Sequence, residues 1–347
     1  MALDWFKSYF TGRSQAVCIN NAISDAAPLD YGLPQGSCIG PALFPIYTKP
    51  LGNILRSHKL PYHLYADDTQ INTSVKPIQA DVDEAIQKME NCIDEIRAWM
   101  NANYLKLNDS KTEFIIIASN YQKAKVNIPS IRVGSENIVP SLDVRNLGVM
   151  FDSGLTMEKQ VSTVSRGVCA SIRNIGRVRK HLTCDAAKTI VNALVISRID
   201  SCNSLLFGIS DFLLSRLQRL QNMAARLITL TRKYDHISPV LADLHWLPVE
   251  QRIVFKYSLL IYKIQLGKAP VYLADSVQSY TPRRALRSSE QGLLKLNRTN
   301  TQWGNRAFGI AAARIWNNLP AIIRFNSSIN SFKKDLKTHL FKVAFTK

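Results

Sequence analysis

The spacing of hydrophobic positions changes along the chain. Up to about residue 155, short runs of alternating apolar and polar residues are separated by turn-forming segments, a pattern typical of β-strands. Beyond that point the apolar positions recur every three or four residues, which is typical of amphipathic α-helices. The sequence therefore predicts an α+β chain whose strands lie in its first half and whose second half is mostly helical.

The first half contains one strongly periodic helix, predicted over residues 81–100. Asp81, followed three residues later by Glu84, resembles a capping box at its start. A 4-3 spacing gives the helix an apolar stripe, which we expect to pack against a sheet. The stripe consists of Val82, Ile86, Met89, Ile93, Ile96 and Met100.

Two further helices, predicted over residues 158–180 and 211–230, combine an apolar face with basic residues. On the first of them, four basic residues fall within one arc opposite the apolar positions Val161, Val164, Val168, Ile172 and Ile175. We name these four the basic ridge: Arg166, Arg173, Arg177 and Lys180. A row of cations suits contacts with a nucleic-acid backbone, and a solvated surface is the alternative interpretation.

The charge of the chain is unevenly distributed. Its 347 residues carry a net charge of +18. Residues 1–155 contain 14 basic and 16 acidic residues, whereas residues 156–347 contain 30 basic and 10 acidic ones. This excess of positive charge favours a polyanionic partner for the second half.

Several protein classes do not fit the sequence. No apolar run is long enough to span a bilayer, and the start of the chain has no signal-peptide pattern, so we expect neither membrane insertion nor secretion. The six cysteines include no Cys-x-x-Cys pair, which favours reduced thiols in a nuclear or cytoplasmic protein.

An acidic pair stands in the motif Tyr-Ala-Asp-Asp at residues 65–68. Strand-like alternation on both sides of the motif predicts a β-hairpin with the acids at its turn. The alternating positions are Tyr62, Leu64, Thr69 and Ile71. Two neighbouring carboxylates repel each other unless a cation lies between them, and carboxylate oxygens suit Mg²⁺.

This acidic motif is one of four segments that occur in a specific order. The four are Pro34-Gln35-Gly36, residues 65–68, Lys111-Thr112-Glu113 and Asn146-Leu147-Gly148-Val149. In this order and spacing they resemble the palm of a reverse transcriptase of the non-LTR, LINE-type retrotransposon kind. The resemblance implies RNA-templated DNA synthesis from a 3′ hydroxyl, with an RNA template, an RNA–DNA duplex and deoxynucleotide triphosphates as partners.

The same resemblance implies roles for individual residues. Asp67 would bind a catalytic Mg²⁺ or Mn²⁺, and Asp68 would complete that acidic side of the site. Lys111 would lie near the incoming triphosphate, with an ordinary surface charge as the alternative. The surface for nucleotide and template would be formed by Pro34, Gln35, Gly36 and Tyr65.

The resemblance also predicts the domain organisation. We expect a truncated palm, an antiparallel sheet with packed helices, over residues 1–155. A helical thumb would follow over 156–235, and a basic, mostly helical C-terminal region over 236–347. Sequence segments of this last region resemble the C-terminal end of LINE-type polyproteins, so we expect the chain to correspond to the C-terminal part of such a polyprotein.

The first catalytic aspartate of the family follows an apolar strand, and none of the acids that precede the motif at residues 65–68 has that setting. Asp4 lies in an aromatic segment, while Asp25 and Asp30 lie in a loop rich in proline and glycine. Since two-metal phosphoryl transfer needs ligands on both ions, we expect the isolated chain to be inactive. The alternatives are a non-catalytic nucleic-acid-binding remnant and an inert fragment of a decayed element. The sequence leaves the oligomeric state open.

Overall fold

The computed structural model describes residues 2–32, 36–282 and 291–346. The chain forms two compact units. The first unit comprises Met1–Thr112 and Asn120–Pro140, and the second comprises Glu113–Ser119 and Ser141–Lys347. Both helices and antiparallel strand pairs occur, which confirms the predicted mixture of α and β structure. The division of residues 156–347 into a thumb and a C-terminal region stays a prediction.

The first unit contains most of the strands. Its helices are α1 (Ala2–Phe10), α2 (Gly40–Tyr47), α3 (Leu51–Ser57), α4 (Gln79–Ala102) and α5 (Asn120–Lys123). Its strands are β1 (Ser14–Gln15), β2 (Cys18–Ile19), β3 (Ala22–Ile23), β4 (Ala27–Pro28), β5 (Tyr62–Tyr65), β6 (Asp68–Ile71), β7 (Ile131–Val133) and β8 (Glu136–Ile138).

The second unit is mainly helical. Its two strands are β9 (Asp143–Asn146) and β10 (Val149–Asp152). Its helices are α6 (Glu158–Val178), α7 (Cys184–Val191), α8 (Ser197–Asp200), α9 (Asp211–Thr229), α10 (Ile237–Asp243), α11 (Val249–Gln265), α12 (Val271–Asp275), α13 (Gln302–Arg306), α14 (Phe308–Asn317), α15 (Ala321–Arg324) and α16 (Ile329–Phe345). A π-helical turn over Asn192–Ile196 joins α7 to α8.

All sheets in the described residues are antiparallel pairs. The pairs are β1–β4, β2–β3, β5–β6, β7–β8 and β9–β10. Within the described part of the chain, each strand has one partner only, so a continuous palm sheet is not formed by these residues. The assignment of residues 1–155 to a palm therefore stays a prediction.

A hairpin near the start of the chain includes part of the segment that was predicted to be an irregular loop. Strands β2 and β3 meet at Asn20 and Asn21, whose φ angles of +47° and +64° suit a type I′ turn. Pairing continues through β1 and β4, so Ala27 and Pro28 belong to a strand and not to the irregular loop predicted after Asp25. The two asparagines were the local signal for this turn, because asparagine tolerates positive φ.

Helix α4 begins two residues before the predicted start. Its N-cap is Ile78, and no side chain caps the helix, so the predicted capping box at Asp81 is wrong. The side-chain amide of Gln79 pairs instead with the backbone of Asn127, donating to its carbonyl at 3.0 Å and accepting from its N–H at 2.8 Å. A partner 48 residues away thus fixes the start of the helix.

The core of the first unit lies between α3 and α4. Buried residues of this core are Leu51, Ile54, Leu55, Leu60, Cys92 and Ile96. The predicted stripe of α4 contributes Val82 and Ile96 as buried residues, and its other members are half-buried. Burial, with the charge of Glu95 as a smaller cause, raises the pKa of the Cys92 thiol to about 11. A thiol with that pKa is inert at neutral pH, in agreement with a packing role.

The second unit has a large core in which α6 and α9 pack together. The predicted inner face of α6 is confirmed, because Val161, Val168 and Ile175 are buried there. The inner face of α9 is confirmed in the same way by its buried residues Leu213, Leu217, Leu220 and Ala224. Helix α6 was predicted to residue 180 and ends at Val178, where a 3-10 turn begins.

Three arginines connect separate elements of the second unit by donating to backbone carbonyls. Arg179 donates to Leu227 at 2.8 Å and to Ile228 at 2.6 Å, at the end of α9. Arg306 donates to the carbonyls of Leu155, Leu205 and Phe207. Arg324 donates to the carbonyls of Gln291, Asn317 and Leu319. We call these three side chains the arginine clamps. Their charges serve the fold, so the net charge of this region overstates what a ligand can meet.

None of the described helices is long and apolar enough to cross a membrane.

Candidate active site and nucleic-acid interface

The motif at residues 65–68 forms the tip of a β-hairpin, as predicted. Strand β5 pairs with β6 in a register that places Tyr62 opposite Ile71 and Tyr65 opposite Asp68. Ala66 and Asp67 are therefore the two turn residues. Ala66 has a φ of +51°, a value that favours glycine. A left-handed non-glycine residue costs about 1–2 kcal/mol, and such strain is often found at functional sites.

The base of the hairpin is anchored while its tip is exposed. Leu60 is buried just before β5, and the Tyr62 hydroxyl accepts a hydrogen bond from Arg56 of α3. Towards the tip, Tyr65 is 66% exposed, and Asp67 and Asp68 are exposed as well. The fold therefore holds the acidic tip out in solvent.

The two acids are free to bind a ligand. Neither carboxylate has a hydrogen-bond or ion-pair partner among the described residues. Their hard oxygen donors suit Mg²⁺ or Mn²⁺, so the residues fit the chemistry of the metal that the resemblance implies. Within the described parts of the chain, however, no group of three or more His, Cys, Asp or Glu residues could hold a metal ion. The hairpin therefore presents two exposed carboxylates, and a metal site at this position stays a prediction.

The loop before α2 is described only in part. Pro34 and Gln35, two of the predicted nucleotide and template residues, lie outside the described residues. Gly36 has a φ of +86°, and a side chain built there would meet no atom within 4 Å. Backbone at this position is open to a ligand, as the role predicted for glycine requires. The contact itself stays a prediction.

Lys111 is exposed at the end of a 3-10 turn formed by Asp109–Lys111. An ion pair of 2.6 Å between Asp109 and Arg97 attaches this turn to α4. The structure brings Lys111 into no hydrogen bond or ion pair with Asp67 or Asp68. Its proposed position near a triphosphate therefore stays a prediction.

Three residues of the basic ridge lie on the outer face of α6, and Lys180 lies in the 3-10 turn that follows the helix. All four ridge side chains are exposed, and none has an ion-pair partner in the described residues. They point away from the buried residues of α6, so the ridge presents four charges to solvent. A row of unpaired cations along one helix can follow a phosphate backbone.

Helix α9 contributes less positive surface than its sequence suggested. Arg216 is half-buried and donates to the Ser162 hydroxyl at 3.2 Å. Arg226 donates to the carbonyls of Arg232 at 3.2 Å and Asp235 at 2.8 Å. Of the arginines Arg216, Arg219 and Arg226 of this helix, Arg219 alone is exposed. The helical period predicts which side chains point away from the core, but it does not predict which neighbouring helix or loop those side chains contact.

We expect Mn²⁺ to bind the chain weakly and through Asp67. Two carboxylates without a third acid leave most of the coordination shell to water, which makes a millimolar affinity the expected order of magnitude. Titration calorimetry of Asp67→Asn should show most of that binding lost. Asp25→Asn, which removes an equally exposed acid of the first unit, should bind like the parent. Tight Mn²⁺ binding that survives Asp67→Asn would refute the assignment.

Comparison with known proteins gives two kinds of match. Residues 1–151 match the family described as reverse transcriptase (RNA-dependent DNA polymerase). The probable RNA-directed DNA polymerase from transposon X-element of Drosophila melanogaster is 27% identical over 235 residues, which is 64% of this chain and 24% of the relative.

Two further curated relatives are similar. The RNA-directed DNA polymerase from mobile element jockey of Drosophila funebris is 22% identical over 197 residues, 54% of this chain and 21% of the relative. The probable RNA-directed DNA polymerase from transposon BS of Drosophila melanogaster is 25% identical over 260 residues, 71% of this chain and 28% of the relative. The matched part of this chain thus spans about a quarter of the length of these relatives.

No solved structure matches the chain significantly. The family match covers the hairpin of residues 65–68 together with the other three motifs. The similarity to the mobile-element polymerases covers a larger share of the chain, 64% and 71% for two of them. Residues 1–151 thus match the reverse transcriptase family, and the similarity to the mobile-element polymerases supports a non-LTR, LINE-type reverse transcriptase.

Proposed function

We propose that this chain is part of a retrotransposon reverse transcriptase and contributes two surfaces to RNA-templated DNA synthesis. The first is the acidic tip of the β5–β6 hairpin, and the second is the basic ridge of α6. The observation that carries the proposal is the acidic pair at a strained, anchored turn, where neither carboxylate has a partner in the described residues.

At the hairpin, each residue has a distinct proposed role. Asp67 would hold the catalytic divalent cation, and Asp68 would complete the acidic side of the site. Mg²⁺, when bound, supplies positive charge that neutralises the phosphates of the nucleotide. Tyr65 and Gly36 would border the nucleotide and template. Lys111 would neutralise the charge of the triphosphate or protonate the leaving pyrophosphate.

On the second unit, the basic ridge would contact the phosphates of an RNA–DNA duplex. Contacts of this kind position a nucleic acid without reading its sequence, which suits a polymerase that must accept any template. Support comes from the exposure of all four ridge cations, none of which has an ion-pair partner in the described residues.

A non-catalytic nucleic-acid-binding role for the isolated chain is favoured by one observation. The described residues provide the hairpin with no third metal ligand, whereas the ridge needs no further element to bind phosphates. We therefore propose that residues 1–347 alone bind nucleic acid but do not polymerise, and that synthesis requires a further carboxylate-bearing palm segment.

Primer extension on an RNA template tests both parts of this proposal. The chain alone should give no extension. A fusion that places the fingers and first palm segment of a related element before Met1 should extend the primer. Asp67→Asn in the fusion should lower the rate by at least about 100-fold, because charge neutralisation is the main catalytic term in phosphoryl transfer. The matched variant Asp25→Asn should extend like the unmodified fusion.

Two outcomes would contradict the proposal. Extension by the chain alone would show that residues 1–347 already complete a metal site. A folded fusion that remains inactive would show that Asp67 or Lys111 does not occupy the position that the family chemistry needs.

A further inference from the structure

A mostly apolar groove lies on the second unit between α6 and the end of α9. Its volume is about 420 Å³. The lining residues are Ile172, Met223, Arg226, Leu227, Leu230, Thr231 and Lys233. Leu230 at its edge is 69% exposed, although exposing a large aliphatic side chain carries a cost in water. A shallow apolar groove of this size can cover a flat, partly apolar group such as a nucleobase.

The loop that follows the groove is held in place by hydrogen bonds. Arg226 donates to the carbonyls of Arg232 and Asp235 at 3.2 and 2.8 Å, and the Asp235 carboxylate accepts from the Arg232 N–H at 3.0 Å. Between these fixed points, Tyr234 is 91% exposed. The loop therefore presents an aromatic ring to solvent on a braced backbone.

Positive charge surrounds the groove and the exposed ring. Lys233 lines the groove, and its ammonium nitrogen lies 5.8 Å from the centre of the Tyr234 ring. Arg232 is exposed beside it, and Ile172 in the groove directly precedes Arg173 of the basic ridge. The one acid in the loop, Asp235, is turned towards the Arg232 N–H. The site thus combines an apolar surface, an exposed aromatic ring and cations, and its charge is complementary to a polyanion.

We propose that this groove and Tyr234 bind an unpaired nucleotide of a single-stranded segment that continues from a duplex on the basic ridge. A base would be covered by the groove or would stack on Tyr234, while Lys233 and Arg232 would contact its phosphates. Aromatic rings flanked by cations bind single strands in this way without sequence preference. The inference rests on the proposed binding of a duplex by the ridge, and it adds the site at which the duplex gives way to single strand.

Fluorescence anisotropy with two labelled ligands tests this inference. One ligand is a blunt RNA–DNA duplex, and the other is the same duplex with a single-stranded RNA extension of about six nucleotides, within the usual site size. The parent chain should bind the extended duplex more tightly. Tyr234→Ala should remove about tenfold of that advantage, since stacking contributes roughly this factor per base. Its affinity for the blunt duplex should stay unchanged.

Two comparisons separate stacking from other effects. Tyr234→Phe keeps the ring and should bind like the parent, whereas Met223→Glu places a negative charge in the groove and should lose the same advantage as Tyr234→Ala. Tyr121→Ala serves as the matched control, because Tyr121 is also exposed beside a lysine, with the Lys125 nitrogen 4.3 Å from its ring centre. Tyr121 is not part of the groove, and its replacement should change neither affinity.

The outcomes distinguish this inference from the proposed function on which it rests. The blunt duplex could bind normally while the extension gives no gain, or while Tyr234→Ala and Met223→Glu cause no loss. Either result would refute base binding at the groove and would leave duplex binding by the ridge unaffected. Failure of the parent to bind either duplex would overturn both. An extension effect that is lost in both variants and retained in Tyr234→Phe would support the groove.

Discussion

Replacing all four residues of the basic ridge with glutamine is expected to weaken binding of an RNA–DNA duplex by about 10³-fold at about 0.1 M salt. Each phosphate contact contributes about 0.9 to the slope of log K against log salt concentration, a value established for B-DNA. Four lost contacts should therefore lower the slope by about 3.6. Anisotropy titrations of the parent and of the Arg166, Arg173, Arg177 and Lys180 variant over a range of salt concentrations would measure this change.

A matched variant is available on the second unit. Helix α16 carries four exposed lysines, so replacing them with glutamine removes the same total charge from another surface. These lysines are Lys333, Lys334, Lys337 and Lys342. If the ridge binds phosphates, the α16 variant should lose much less affinity than the ridge variant. Equal losses would mean that net charge alone attracts the duplex, and an unchanged slope in the ridge variant would mean that α6 has a merely solvated face.

Trp316→Ala is expected to destabilise the second unit by about 3–5 kcal/mol. The Trp316 side chain is 2% exposed, its ring stacks at 6.1 Å on the buried Phe332, and its indole N–H donates to the Gly292 carbonyl at 2.8 Å. The substitution leaves a large cavity between α14 and α16 and an unsatisfied carbonyl. Chemical denaturation followed by circular dichroism would give the change in the free energy of unfolding.

Two other variants calibrate this result. Trp316→Phe keeps most of the apolar volume and should cost less than Trp316→Ala, the lost hydrogen bond accounting for about 1 kcal/mol. Trp5→Ala removes the same side chain from α1, a helix without buried residues, and should cost under about 1 kcal/mol. A cost for Trp316→Ala as small as that of Trp5→Ala would show that α14 and α16 do not share a packed core.

The hydrophobic pattern predicted those elements whose formation depends on residues close to one another in the sequence. The β5–β6 hairpin followed from strict alternation around an acidic turn, and α6 and α9 followed from their apolar spacing, because these patterns act over a few residues. The start of α4 could not be predicted in the same way, since Gln79 is fixed by Asn127 far along the chain. The sequence also gave no sign that the five strand pairs would stay separate in the described residues.

The candidate site shows the same limit. The exposure of Asp67, Asp68 and the basic ridge could be predicted, because a tight turn and the polar side of an amphipathic helix both face solvent. The positions of Arg216 and Arg226 could not, because a helical wheel gives the direction of a side chain but not the loop or helix that it reaches. Tyr234 was missed for the related reason that a single aromatic residue in a short polar loop has no period.

The arginine clamps have a consequence for how the second unit tolerates mutation. Each clamp binds carbonyl oxygens of the main chain, and every amino acid supplies that oxygen in the same place. Side chains at the accepting positions can therefore change freely as far as the clamp is concerned. The donors cannot, because lysine lacks the planar fork that reaches two or three acceptors at once. Mutations at the accepting positions would thus leave the clamps intact, whereas one nucleotide change in any of the three arginine codons would remove the hydrogen bonds to several elements at once.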